Sequence, residues 1–567
     1  MVRSLLLLLL SVGLFAACTQ GSGTAVAPAP APEVALGERL FLETRFAQYF
    51  SANFQGQWNQ PLAVPDPILA ITQTTTFPLP GAFASGSMNC AACHLVDQNL
   101  ETPRGGMRSY NDFARRTPIP LRKDGKIVTV RNSPPLVNSA LERPVPLFLH
   151  FDAEFESLEG LVRGTLTGRN FGWLQDENET AVAHIAGVIK NDDGRGELAK
   201  EFGGIPYKIL LKGEAAEIPE EFRIPENFRI DVENADGKEI LNAVAKLIGA
   251  YVQDLVFIRD DTGAFAGSPY DKFLEMNGLP RKPQAGETDL EYARRLLELI
   301  NKLEDIQYVA QGRDGEFAFH EQDFRFGPDE LKGLKIFFAE APASGLAPSH
   351  QPETDPPQAG AEAGGIGNCI ACHAPPAFTD FKFHNTGVTQ AEYDLTHSGG
   401  AFQALFIPDY FERNAKPELY LPPSPLHPYA AGKFFDIPSL DRPGATDLGL
   451  WNVLGNPNVS HQEKLLRLLC EQHSMAEADC VPEKLLPLTV AQFKTPGLRD
   501  MGHSAPYMHN GEMDELKDVV EHYRTFSDLA RKGEMRNAPE EFSGLALGEA
   551  DVSLLVNFLE SLNEDYE

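Results

Sequence analysis

Ser87–Gln98 reads SMNCAACHLVDQ, and Asn368–Pro376 reads NCIACHAPP. Each contains C-x-x-C-H: Cys90, Cys93 and His94 in the first, Cys369, Cys372 and His373 in the second. In an exported chain this spacing attaches a c-type haem. Two thiols meet the two vinyl groups, and the adjacent His lies under the iron. One copy could be chance, a redox dithiol or half a zinc site. Two copies that hold four of the seven cysteines argue against all three. Neither copy has the second C-x-x-C that a structural zinc site wants. The spacing therefore predicts two haems, each with His94 or His373 on one face of its iron, and leaves the other face to be found.

The chain around these motifs has 567 residues, too many for one core. Hydrophobic residues make up 43% and charged residues 23%, which is ordinary for a globular protein. The net charge of −31 argues against nucleic acid and anionic membrane surfaces as partners. It suits a basic electron carrier, or simply a soluble acidic surface. The N-terminus, MVRSLLLLLLSVGLFAACTQ, places one Arg before a short apolar run and small residues, the anatomy of a signal peptide over 1–17. Ala16, Ala17 and Cys18 resemble a bacterial lipobox, with Phe15 as a departure, so a lipid on Cys18 is expected to be the membrane attachment, with plain signal cleavage the alternative. Residues 18–35 read as a tether. The expected location is the periplasm, anchored to the outer membrane. Cys470 and Cys480 lie close in sequence and are expected to form a local disulfide in that oxidising compartment.

Helical signals dominate. In GKEILNAVAKLIGAYVQDL, Ile240, Val244, Leu247, Ile248, Tyr251 and Leu255 recur at helix spacing. TDLEYARRLLELINKLEDI opens with a capping box from Thr288 to Glu291. Strands are not convincingly signalled. The expected fold is mainly α: two cytochrome-c-like haem domains packed together with long irregular loops, one over 36–325 and one over 326–567.

The block AQFKTPGLRDMGHSAPYMHNGEMDELKDVVEHYRTF (Ala491–Phe526) is the most specific in the chain. It resembles the bacterial di-haem cytochrome c peroxidase and MauG superfamily, which carries F-K-x-P-x-L-R-N, A-P-Y-M-H-D-G and then a helix. LGERLFLETRF, VRNSPPLVNSAL, SLEGLV, SPYDKFL, LKGLKIFF and FHNTGV extend the resemblance over most of the chain. It implies two c-haem domains with a calcium ion between the haems. It also implies that the second haem takes its other ligand from the helix after the block, Met in the peroxidases and Tyr in MauG. Register puts Tyr523 there, on a face with Leu516, Val519, Val520 and Phe526; the adjacent His522 is the rival. Many of the peroxidases block the first iron with a second His. No His lies between His94 and His150, so the resemblance implies an open first iron where hydrogen peroxide or dioxygen binds, with Met107 the alternative occupant.

The chain departs from the family in three places. Phe151 stands where the family has a Trp between the haems, which puts electron hopping through that residue in doubt. An ungapped count puts Phe171, beside Asn170, where the peroxidases place a Glu over the first haem; no carboxylate lies between Glu159 and Asp176. The distal pocket is thus expected to be apolar and to lack its general base, which also suits dioxygen chemistry of the kind the rubber oxygenases, distant di-haem relatives, perform. Asn510 replaces the Asp of H-D-G. Carried over by position, the calcium ligands are Asn132, Ser504 and Pro506. Arg131 and Arg499 are candidates for haem propionates or for structural ion pairs. The implied function is a periplasmic di-haem oxidoreductase that reduces hydrogen peroxide with electrons from a small donor, a cytochrome c or cupredoxin. MauG-like oxidation of a protein side chain or oxygenation of an organic substrate is the alternative, and a di-haem electron-transfer cytochrome without substrate chemistry is a third.

Overall fold

The computed structural model describes residues 30–72, 85–94, 116–214, 216–317, 320, 322–341 and 364–564. The signal peptide, Cys18 and most of the tether, and Met107 lie outside them. The principal helices are α1 (Pro32–Phe41), α2 (Leu158–Leu166), α3 (Asn178–Asn191), α4 (Gly237–Asp254), α5 (Pro269–Met276), α6 (Asp289–Asn301), α7 (Pro328–Phe338), α8 (Gln462–Gln472), α9 (Leu516–Lys532) and α10 (Glu549–Glu560). The only strands among the described residues are β1 (Phe383–His384) and β2 (Phe493–Lys494), an antiparallel pair. The chain is mainly α, as expected.

Each haem motif sits against its own apolar core. The first core gathers α1 to α4 with Met88, Ala91, Ala92 and Cys93. The face expected on α4 is fully used: Ile240, Val244, Leu247, Ile248, Tyr251 and Leu255 are all buried. Asp236 caps that helix by accepting from Lys238 and Glu239 N–H. The second core gathers α5, α6, α7 and α10 with Ile370 and Phe378. A third cluster, built from residues 383–491 with α8, also takes in Phe148 and Ala153 from the first half. No helix among the described residues is long and apolar enough to cross a membrane.

Tyr270, Phe273, Tyr292, Leu296 and Ile300, which precede residue 326, pack in the second core and not in the first. The cause is the stripe on α6. Its Thr288–Glu291 capping box starts the helix as expected, and the apolar face then needs a partner, which α7 of the second unit supplies. The Cys470–Cys480 disulfide forms and closes the end of α8.

A glycine sits at the main helix crossing of each core. A Cβ on Gly37 of α1 would lie 2.2 Å from the Leu247 carbonyl oxygen of α4. One on Gly333 of α7 would lie 1.9 Å from the Leu554 carbonyl oxygen of α10. Both distances are impossible for a real side chain, so each crossing depends on the missing Cβ.

Candidate functional site

The two C-x-x-C-H segments fold into the same turn. Cys90–Ala92 and Cys369–Ala371 are single 3-10 turns. In the first, Cys93 N–H and His94 N–H donate to the Cys90 carbonyl at 3.1 and 2.9 Å. In the second, Cys372 N–H and His373 N–H donate to the Cys369 carbonyl at 3.2 and 2.7 Å. An Asn precedes each turn. Asn89 anchors the first to α1 through the Leu42 carbonyl, and Asn368 anchors the second to the Glu541 carbonyl. All four thiols are free of disulfides. Burial pushes each of them up, Cys93 and Cys369 to about 12, so the sulfurs are held as thiols on an apolar floor. This donor set suits covalent haem: two unpaired thiols three residues apart, the second followed by a buried imidazole.

Around the second motif, His373 Nδ1 pairs with the Phe378 carbonyl at 2.9 Å. That fixes the ring and leaves Nε2 as the nitrogen that would take the iron of an attached haem. Tyr523 on α9 is sheltered against Phe542, ring centroids 5.4 Å apart. Burial, then the Cys372 and Cys369 thiols beside it, push its phenol well up. Of the expected α9 face, Leu516, Val520 and Phe526 are buried and Val519 and Tyr523 partly so. His522 is buried too, but its Nε2 pairs with the Thr386 carbonyl at 2.8 Å and its ring stacks on Phe526. Burial holds it neutral, down to about 4. His522 is thus taken up in holding α9 against the segment after β1, while Tyr523 sits with the cysteines.

Around the first motif, no acceptor of ordinary geometry among the described residues meets His94 Nδ1, although the Pro134 backbone lies near enough to favour its proton. Burial, and after it the neighbouring His150, push His94 down to about 4. Phe171 ends the 3-10 turn Arg169–Phe171 and is buried in the cluster that contains Ala91, Ala92 and Cys93; Asn170 is half-buried in the same turn. Sequence reasoning passed over His150, whose Nδ1 lies 2.9 Å from Glu154 Oε2. Glu154 lies three residues after Phe151, on the stretch the sequence had already singled out.

The structure brings part of the expected calcium set together. Asn132 N–H donates to the His509 carbonyl, and its side-chain nitrogen donates to the Pro506 carbonyl at 2.6 Å. Ser504 is buried two residues before, with its hydroxyl on the Asp500 carbonyl. Both candidate propionate arginines are instead locked in ion pairs. Arg131 holds Asp447 through two nitrogens, at 2.5 and 2.9 Å, and Asp152 at 2.7 Å. Arg499 holds Asp271 at 2.8 and 3.0 Å and also pairs with Glu564.

Between the motifs lies a cavity of about 100 Å3, lined from both halves of the chain. Phe151 is on its wall, and its carbonyl accepts from Lys494 N–H at 2.7 Å.

The fold and these two turns define a two-centre c-type haem protein. No family model matches the chain. Over 71 residues it is 37% identical to the methylamine utilization protein MauG of Methylophilus methylotrophus, 12% of this chain and 20% of the relative. Over 199 residues it is 25% identical to the cytochrome-c peroxidase IdrP2 of Denitromonas iodatirespirans, 35% of this chain and 37% of the relative. The matches thus span a fifth to somewhat over a third of these relatives. Among solved structures, the diheme peroxidase BthA from Burkholderia thailandensis E264 aligns over 95% of this chain and 88% of its own, at 17% identity and a TM-score of 0.43. The curated matches are thus to a MauG protein and a cytochrome-c peroxidase, each over part of the chain.

Proposed function

We propose that the protein is a di-haem c-type oxidoreductase that reduces hydrogen peroxide at its first centre with electrons passed through its second. The observation that carries this reading is the Tyr523 phenol, sheltered beside Cys369 and Cys372 while His522 is engaged elsewhere. It gives the second centre a side chain for the other face of the iron. Cys90 and Cys93 would hold one haem with His94 on its iron; Cys369 and Cys372 would hold the other with His373 and Tyr523. When bound, such a group supplies an iron that changes oxidation state and, where a ligand position is open, takes up peroxide or dioxygen. The chain's own residues do the rest. Phe171 and the apolar floor exclude water around the first motif, and His150 with Glu154 provides an acid–base pair beside His94. Reduction of one peroxide to two waters takes two electrons and two protons. We take the electrons to come from a small periplasmic cytochrome c or cupredoxin, a reading that the acidic chain supports through attraction to a basic carrier. Export and a lipid on Cys18 are supported by the signal-like N-terminus and by the disulfide. Calcium at Asn132, Ser504 and Pro506 is part of the same proposal and requires the Asn132 amide to present its oxygen where its nitrogen now sits on Pro506.

One observation favours the second reading, MauG-like oxidation or oxygenation of an organic substrate. Residues 160–175 carry no carboxylate, and the residue at the Glu position, Phe171, is 2% exposed in the apolar cluster. Low-temperature EPR of the oxidised holoprotein, followed by one equivalent of peroxide, tests the proposal. A high-spin ferric signal that vanishes within seconds is the expected result. Two low-spin signals indifferent to peroxide would refute an open first centre and favour simple electron transfer. Consumption of peroxide without oxidation of an added donor would favour the second reading.

A further inference from the structure

Arg131 and Arg499 are fully engaged by carboxylates, yet two other cations line the cavity between the motifs without such partners. The Lys494 ammonium donates to the Phe148 carbonyl at 3.1 Å. The Arg143 guanidinium donates to the carbonyls of Leu141 and Ser139 at 2.8 and 2.7 Å and lies 4.3 Å over the Phe381 ring. Neither forms an ion pair with any described residue. Burial pushes Lys494 down to about 7, with Arg143 adding to it and the more distant Asp152 carboxylate opposing, and burial pushes Arg143 down to about 10. Two like charges that line one half-buried cavity are costly unless an anion enters it.

The place of the cavity says which anion. Its lining includes Pro134, whose backbone lies beside His94, and Pro496, whose backbone lies beside His373. β2 carries Lys494 and pairs with β1, which begins ten residues after His373, while the Lys494 N–H is tied to Phe151 across the junction. A group attached at either motif therefore borders this space, and a haem brings two carboxylates with it. We propose that Lys494 and Arg143 form a carboxylate site at the junction that holds a haem propionate and so couples the position and potential of that haem to both halves of the chain. This rests on the two-haem reading. The same chemistry would also accept a small free carboxylate.

The test is spectroelectrochemical titration of the holoprotein and of its Lys494→Gln, Lys494→Arg and Arg143→Gln variants, with haem counted in each by the pyridine haemochrome. A nearby cation favours the reduced, more negative state. Lys494→Gln is expected to lower the midpoint potential of one haem, Arg143→Gln to lower the same one, and Lys494→Arg to restore it. Unchanged potentials for both haems in Lys494→Gln and Arg143→Gln, with two haems bound, would overturn the proposal. Wild-type potentials that shift on addition of formate, and no longer do so in Lys494→Gln, would show a soluble anion as the occupant and overturn the assignment to propionate. Fewer than two haems in the matured wild type would instead overturn the two-haem reading, a separate failure.

Discussion

The two haem-attachment turns carry the same five-residue pattern and the same hydrogen bonds, but their surroundings differ. At the second, His373 is pinned by the Phe378 carbonyl, and a phenol from α9 stands beside the thiols. At the first, Nδ1 of His94 meets no acceptor of ordinary geometry among the described residues, and its titrating neighbour is a second imidazole, His150, tied to Glu154. The scaffold beneath them is alike: in each half, a helix before the motif crosses a later helix at a glycine, Gly37 or Gly333. One local motif and one helix crossing have thus been used twice, and the function of each copy is set by what other segments bring to it. Beside the second copy stands the Tyr523 phenol; beside the first stands the His150–Glu154 pair.

The largest expected effect breaks this contrast at its root. Replacing Tyr523 with Met exchanges an anionic, hard donor for a neutral, soft one. It is expected to raise the potential of the second centre by on the order of 0.1–0.3 V, leaving the first unmoved. A redox titration that resolves both haems reads this directly. If Tyr523→Met moves neither potential, Tyr523 is a core tyrosine and the contrast fails. His522→Gln should keep the potentials while costing about 1 kcal/mol through the lost bond to Thr386.

Next come the two arginines. Arg131→Met leaves Asp447 and Asp152 buried without their cation, and a loss of about 3–5 kcal/mol in urea unfolding at neutral pH is expected. Arg499→Met should cost a comparable amount within the second core, where it strands Asp271. A loss below about 1 kcal/mol for Arg131→Met would mean that the junction is held by apolar packing alone. Removing the Cys470–Cys480 disulfide by a double Ala substitution is worth somewhat less, about 2–3 kcal/mol for so short a loop, and concerns only the third cluster.

These cases also show why some of the molecule was legible in the chain and some was not. The attachment turns, the α4 face, the α6 capping box, the disulfide and the place of Tyr523 all follow from short-range spacing or from one motif in register. Asp447 and Asp271, held by Arg131 and Arg499, lie 316 and 228 residues away, and no local pattern announces them. The packing of α6 was hidden for the same reason: its stripe said that an apolar partner was needed, not that α7 would supply it. Lys494 was in view within F-K-T-P, but its significance depends on the cavity wall contributed by Pro134, Arg143 and Phe151.

The smallest expected effect asks whether the second region carries its own acid sensitivity. Asp500 is buried between two histidines, 2.8 Å from His320 Nε2 and 3.1 Å from His503 Nδ1, whose rings stack at 3.8 Å. Burial acts to raise its carboxyl, but His503 and His320 together outweigh it and hold the group down at about 2 from an ordinary 3.8. A folded-state value below the unfolded one means that the ionised form stabilises the fold. That contribution is complete above pH 3.8 and is lost as pH falls from there to 2, a span worth about 2 kcal/mol. Asp500→Asn should therefore be about 2 kcal/mol less stable than the parent at pH 5, and the two should converge near pH 2. Chemical denaturation of both proteins across that range measures the difference. A gap that stays constant with pH would show that Asp500 serves as a neutral hydrogen-bonding spacer, and acid sensitivity would then have to come from elsewhere in the chain.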